Sequence, residues 1–245
     1  RGLGDVYKRQ VYSKKQLMSI IYKENMMDFY GFYTGKIFDA YKYLGAHVEE
    51  KGVTFRTFAP SASRITLIGE FNDWQEWEMN KVSDGNFWEC YVPQAKAGQM
   101  YKYKIYDRNG NPVDHCDPYG FGMELRPSSA SIIRDMSKYK FKDSQWLQSR
   151  SDCRKKPLNI YEIHFGSFRK PSDKADDWYN YEEMIDILIP YLVKNGYNYL
   201  EIMPLNEYPC DESWGYQATG FFSPTSRYGT ADQLKAFIDA CHKHN

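Results

Sequence analysis

From Tyr41 to about Asp135 apolar and polar residues alternate in short runs divided by turn chemistry. Val53–Ala59, Arg64–Phe71, Phe87–Val92 and Met100–Asp107 are rich in Val, Ile, Thr and aromatic residues, as strands with one buried face require. Ala59-Pro60-Ser61, Asp84-Gly85-Asn86 and Asn109-Gly110-Asn111 separate them, and Asp-Gly and Asn-Gly supply the positive φ of tight hairpin turns. Strands at this spacing, with no helical period between them, predict an antiparallel β-sandwich of about 100 residues.

Beyond Arg150 the period changes. Asn159–Phe165 and Tyr197–Leu205 read as strands. Between them Tyr181–Lys194 places Ile185, Leu188, Ile189, Leu192 and Val193 on one helical face, with Pro190 expected to kink it and Asn195-Gly196 to stop it. A last helix carries Leu234, Phe237, Ile238 and Cys241 on one side, and Thr230-Ala231-Asp232-Gln233 before it fits a capping box. Strand–helix–strand–helix is a parallel α/β unit. A closed (β/α)8 barrel takes about 250 residues, so the stretch after 158 suffices for two units and the chain is expected to be truncated.

Composition narrows the partners. Lys+Arg and Asp+Glu are 32 each, so the net charge is zero and no global basic field draws the chain onto nucleic acid. No stretch approaches the ~18 apolar residues of a membrane helix, and Leu17–Tyr22 is too short for a secretory core. Five scattered cysteines, never in a C-x-x-C pair, suggest free thiols in a reducing compartment rather than disulfides or zinc. A cytoplasmic protein with no metal and no organic cofactor is the expectation. Aromatic residues make up 17%, and Tyr and Trp rings suit both cores and stacking on sugars.

The densest signal is the connection Asn206–Thr230, several times the usual 2–6 residues. It holds Trp214, Tyr216, Phe221, Phe222 and Tyr228 beside Asp211, Glu212, Gln217 and Arg227. Two readings stand: a sugar subsite, or a self-packed loop with the aromatics as its own core. Glu207, Asp211 and Glu212 likewise read either as a carboxylate pair or as a solvated acidic loop. Glu162 and His164 share a strand face by period 2; each is expected to make a structural hydrogen bond, and Glu201 to be a satisfied core carboxylate.

Three runs, YEIHFGSF (Tyr161–Phe168), YNYLEIMPLNEYP (Tyr197–Pro209) and SWGYQATGFFSPTSRYGT (Ser213–Thr230), resemble glycogen branching enzymes of the α-amylase superfamily, glycoside hydrolase family 13. FRTFAPSASRITLIGEFNDW (Phe55–Trp74) is similar to the family 48 carbohydrate-binding module that precedes their barrel. The resemblance implies an immunoglobulin-like β-sandwich followed by the first two βα units of a (β/α)8 barrel. Its divisions would be a leader at 1–28, partly non-native, the module at 29–140, a linker at 141–157 and the barrel start at 158–245. It implies an α-glucan partner, transfer of an α-1,4 chain to a glucose 6-hydroxyl, and catalytic carboxylates on strands beyond Asn245, leaving this chain inactive. Tyr216 then matches the tyrosine that stacks on sugar at the cleavage subsite, with Trp214 and Gln217 flanking it. Trp74 and Lys102 match glucan-binding positions of the module, while a second tryptophan of that site has no counterpart in NPVDHC before Asp117. A debranching or trehalose-releasing relative, or a non-catalytic glucan-binding protein, are the alternatives.

Overall fold

The computed structural model describes residues 27–150 and 155–244, in two compact units, Arg1–Tyr43 and Leu44–Asn245. The expected leader lies outside the described residues except for Met27 and Asp28. In the first unit, helix α1 (Phe29–Tyr33) starts where the Asp28 carboxylate accepts from the Gly31 amide at 2.9 Å. Gly31 is required by close approach, because a Cβ there would run into Asp28 and Ile37.

The second unit begins with the sandwich. One antiparallel sheet contains β1 (Gly45–Glu49), β2 (Gly52–Phe58), β5 (Asn80–Val82) and β6 (Phe87–Val92), in the order β1-β2-β6-β5. The other contains β3 (Arg64–Gly69), β4 (Trp77–Glu78), β7 (Met100–Tyr106) and β8 (Pro112–His115), in the order β4-β3-β7-β8, with β9 (Ser131–Ile132) also pairing with β7. Val53, Phe55, Trp88 and Cys90 from the first meet Ile65, Leu67, Tyr101 and Tyr103 from the second in one core. Phe55 and Tyr101 touch edge to face, ring centroids 4.9 Å apart. Asn109-Gly110 closes the β7–β8 hairpin, where the Asp107 carboxylate accepts the amides of Asn109 and Asn111. Asp84-Gly85 closes β5–β6. The shorter strands β4, β5, β8 and β9 escaped the sequence reading because two to four residues, mostly exposed, carry too little period to register.

A buried carboxylate sits against two tyrosines of β7. Asp117 accepts the hydroxyls of Tyr101 and Tyr103 at 2.6 and 3.1 Å and the Tyr119 amide at 2.8 Å. Burial outweighs these three donors and pushes its pKa up to about 6. Asp117 therefore protonates in the folded chain as pH falls through about 6, but in the unfolded chain only near 3.8. Between these values the folded state holds the extra proton, so Asp117's contribution to stability grows on acidification and is lost as pH climbs back through about 6. About 3 kcal/mol is at stake, at about 1.4 kcal/mol per tenfold change in proton affinity. Urea unfolding at about pH 4 and about pH 7 checks this: the parent should gain on Asp117→Asn in acid, and parallel pH profiles would refute it.

After helix α2 (Ser144–Ser149) come β10 (Ile160–Ile163), the one-turn helix α3 (Phe165–Phe168), α4 (Glu183–Lys194) and β11 (Tyr199–Ile202). Then follow β12 (Asn206–Glu207), β13 (Gly220–Pro224) and α5 (Ala231–Lys243). Strands β10 and β11 are parallel, Ile160 facing Tyr199 and Glu162 facing Glu201. Ile163, Phe165, Tyr181, Met184, Leu188, Leu192, Tyr228 and Phe237 form their core. The buried stripe of α4 is Met184, Leu188, Ile189 and Leu192, so the expected Val193 is exposed and Met184 takes its place, one i, i+4 row earlier. The capping box forms as read: Thr230 Oγ1 accepts from the Gln233 amide, and Gln233 Oε1 from the Thr230 amide.

The stretch 141–157 contains helix α2, tied down by Trp146 stacking on His242 (3.7 Å, 5°) and by His242 Nδ1 lying 2.9 Å from Asp143. One expectation needs correction. Glu201 is exposed, not a core carboxylate, and so are Ile160, Glu162 and Tyr199: one face of the two-stranded sheet is open. An apolar groove of about 730 Å3, bounded by Trp146, Tyr199, Leu200, Leu234, Phe237 and Ile238, runs along β11 and α5. No helix among the described residues is long and apolar enough to cross a membrane. Cys90, Cys116, Cys210 and Cys241 are free thiols, and Cys153 lies outside the described residues.

Candidate functional site

The long connection is not structureless. It folds as the short hairpin β12–β13, with 3-10 turns at Asp211–Ser213 and Ser226–Tyr228. Its anchor is ionic. Arg227, 1% exposed, donates from Nη1 to Glu207 Oε1 at 2.9 Å and to the Tyr208 carbonyl at 2.8 Å, and lies over the Tyr208 ring. Glu207, 3% exposed, also accepts from Thr225 Oγ1 (3.0 Å) and from the Ser226 amide and hydroxyl (2.6 and 2.5 Å). A buried charge with every lone pair engaged is a structural device.

Asp211 lies between two guanidiniums, Arg227 on one oxygen at 3.0 Å and Arg126 on the other at 2.8 Å. Burial works to raise its pKa, but hydrogen bonds from Arg126 and Arg227 outweigh it and hold the carboxyl below the usual range. Glu207 and Asp211 are therefore not a free carboxylate pair. Glu212 is exposed and accepts from the Cys210 thiol at 3.0 Å.

With that anchor in place the aromatics need not form a core, and most do not. Tyr228 is buried, but Trp214 is 54% exposed, Tyr216 67% and Phe221 70%. The self-packed reading fails on these exposures, and such a cluster of bare rings is unusual for a surface loop. Trp214 takes a left-handed conformation (φ 54°) and Gly215 follows at φ 91°, where a Cβ would lie 2.5 Å from the Pro204 carbonyl oxygen. That kink turns Tyr216 outward, its amide donating to the Ser213 carbonyl at 3.0 Å. Gln217 beside it is also exposed.

The Trp214 ring lies over His164 at the end of β10, centroids 5.9 Å apart and 28° from parallel. His164 Nδ1 meets Ser167 Oγ at 2.9 Å, the structural hydrogen bond expected of it, while Nε2 is buried with no partner among the described residues. Burial, then the Arg227 charge, lowers its pKa below 6.5, so the imidazole is neutral near pH 7.

In the sandwich, Trp74 is part-exposed and follows Asp73, both at positive φ (59° and 52°). Lys102 stands on β7 opposite Ile68 and donates to Ser129 Oγ at 3.1 Å. Trp88 is core, its indole donating to the Ala59 carbonyl. Among the described residues no three His, Cys, Asp or Glu side chains converge as a metal ion would need. Sequence reasoning missed Arg126, which meets Asp211 across 85 positions and carries no local signal.

Residues 43–120 match carbohydrate-binding module 48, described as the isoamylase N-terminal domain. The chain is 41% identical over 229 residues to the 1,4-alpha-glucan branching enzyme GlgB of Fusobacterium nucleatum, covering 92% of this chain and 37% of that protein. It is 44% identical over 220 residues to the enzyme of Dechloromonas aromatica (87% and 35%) and 41% over 225 to that of Geobacillus stearothermophilus (89% and 35%). The chain thus spans little more than a third of these relatives' length. A solved structure of a candidate alpha amylase from Salmonella typhimurium superposes with a TM-score of 0.66 at 26% identity, covering 82% of this chain and 31% of that one. Over most of its length, then, the chain is similar to the first third or so of the 1,4-alpha-glucan branching enzymes, and its residues 43–120 match carbohydrate-binding module 48.

Proposed function

We propose that this chain is the N-terminal part of a 1,4-alpha-glucan branching enzyme that cuts an α-1,4-glucan and transfers the released chain to a glucose 6-hydroxyl in glycogen synthesis. The observation that carries the reading is the pair of bare rings, Trp214 and Tyr216, raised on a kink above a loop that a buried ion network holds rigid. Flat apolar faces with polar edges suit a pyranose. Gln217, exposed beside Tyr216, would supply hydrogen bonds to its hydroxyls.

The open face of β10–β11 supports a barrel that continues past this chain, since parallel strands are normally covered on both faces. In this reading 29–140 is the module, 141–157 the connection and 158–245 the barrel start, with Trp74 and Lys102 a second contact for glucan. Chain transfer with retention proceeds by double displacement through a covalent glycosyl-enzyme and needs two carboxylates about 5–5.5 Å apart. Glu207 and Asp211 are engaged by arginines, and this reading, from the resemblance to branching enzymes, assigns the pair to strands beyond Asn245.

The 245-residue chain should accordingly bind maltoheptaose yet form no new α-1,6 linkage on amylose by NMR. Linkages formed above a blank would overturn the inactivity. A chain extended to its relatives' length that still fails to branch amylose would overturn the enzyme reading.

A further inference from the structure

The aromatic loop is gripped from the sandwich side, at three points that all come from residues 119–126. The Tyr119 ring stacks on Phe222, centroids 4.9 Å apart and 21° from parallel. The Met123 sulfur fills the space that a Cβ on Gly220 would need. Arg126 donates from Nε to Asp211 Oδ2 at 2.8 Å and from Nη2 to Asp176 at 2.6 Å and to Asp211 again, with its guanidinium 5.8 Å from the Trp178 ring.

These grips differ in what they hold. The buried pair of Arg227 and Glu207 secures 207, 208 and 225–227, and it does not involve Arg126. The turn at Asp211–Ser213, which launches Trp214 and Tyr216, is fastened to that anchor through the Asp211 carboxylate. Asp211 has two oxygens and two arginines. Arg227 arrives from within the loop and Arg126 from the sandwich, so the carboxylate locks the turn to both at once. Because the Asp211 side chain is 41% exposed, loss of Arg126 strands no buried charge. What is lost is the fork that fixes the turn's direction.

We propose that Arg126 is a positioning residue for the Tyr216 platform, through which the sandwich sets the pose of the aromatic loop. Its consequence for sugar binding rests on the reading of Tyr216 as a glucan contact; its consequence for loop order does not.

The test uses the whole 245-residue chain with Arg126→Ala, Arg126→Lys and, as a control ion pair elsewhere on the sandwich, Arg64→Ala. Amide exchange over 209–219, which includes the Trp214 and Tyr216 hydrogen bonds to Asp211 and Ser213, should quicken by about tenfold or more in Arg126→Ala. Strand β7 should exchange as in the parent. Lysine keeps the charge but not the fork, so Arg126→Lys should restore only part of the protection. Maltoheptaose affinity of Arg126→Ala should fall toward that of Tyr216→Ala, and the double variant should be no weaker than Tyr216→Ala alone.

Unchanged exchange over 209–219 overturns the proposal. So does a Tm more than about 10 °C below that of Arg64→Ala, which would make Arg126 a structural prop. Faster exchange with parental affinity, while Tyr216→Ala binds weakly, overturns the positioning role. If Tyr216→Ala itself binds as the parent does, the glucan reading falls, and loop positioning by Arg126 is decided by exchange alone.

Discussion

Arg227→Met is expected to cost about 3–5 kcal/mol of stability, the range for breaking a buried ion pair by removing one partner. Methionine roughly keeps the aliphatic volume but leaves the Glu207 carboxylate, 3% exposed, without a countercharge. The hydroxyls of Thr225 and Ser226 and the Ser226 amide still reach it, yet they bring no net charge. The Tyr208 ring loses its cation, and Asp211 keeps only Arg126. In a unit of this size the melting temperature should fall by about 6–20 °C. Adding Glu207→Leu should recover part of the loss, because burying two apolar groups costs less than burying one unpaired charge. Urea unfolding of the four corners of the cycle measures the coupling; a loss below about 1 kcal/mol would mean that water reaches Glu207 and that the loop is not anchored there.

Tyr216→Ala is expected to do the opposite: leave the fold alone and damage recognition. The side chain is 67% exposed, and the turn around it is held by backbone hydrogen bonds and by Asp211, so truncation should move the melting temperature by less than about 2 °C. Stacking on a flat ring is worth roughly 1–3 kcal/mol by analogy with base–aromatic contacts. Maltoheptaose affinity, and the rate of a longer chain carrying the same loop, should then drop about 5- to 150-fold. Tyr216→Phe keeps the ring and should keep most of both. A variant that melts far below the parent but binds normally would make Tyr216 structural and remove it from the site.

The sandwich was legible because its information is local. Period-2 runs such as Phe87–Val92 name their own buried face, and Asp-Gly and Asn-Gly name their own turns. The same holds for the capping box at Thr230 and the apolar row of α4, apart from a rotation of one residue row. Short strands such as β4 and β9 were illegible because pairing with a long neighbour, not their own pattern, makes them strands.

The loop divides along the same line. Its length, its aromatic content and the glycine in W-G-Y-Q are properties of a contiguous segment, and with the resemblance to branching enzymes they mark Trp214, Tyr216 and Gln217 as candidates. Whether those rings were core or surface depended on what else could hold the loop. The answer is an arginine buried against Glu207 and another reaching Asp211 across 85 residues. The same tertiary choice took Glu207 and Asp211 out of contention as free carboxylates and left His164 Nε2 without a partner. Periodicity and turn chemistry act over a few residues, so the sequence by itself determined the four long sandwich strands β2, β3, β6 and β7, the α/β alternation and the place of the aromatic loop. Ion pairs and burial act across space between segments distant in the chain, so only the tertiary structure decided which side chains brace that loop and which stand free to meet a ligand.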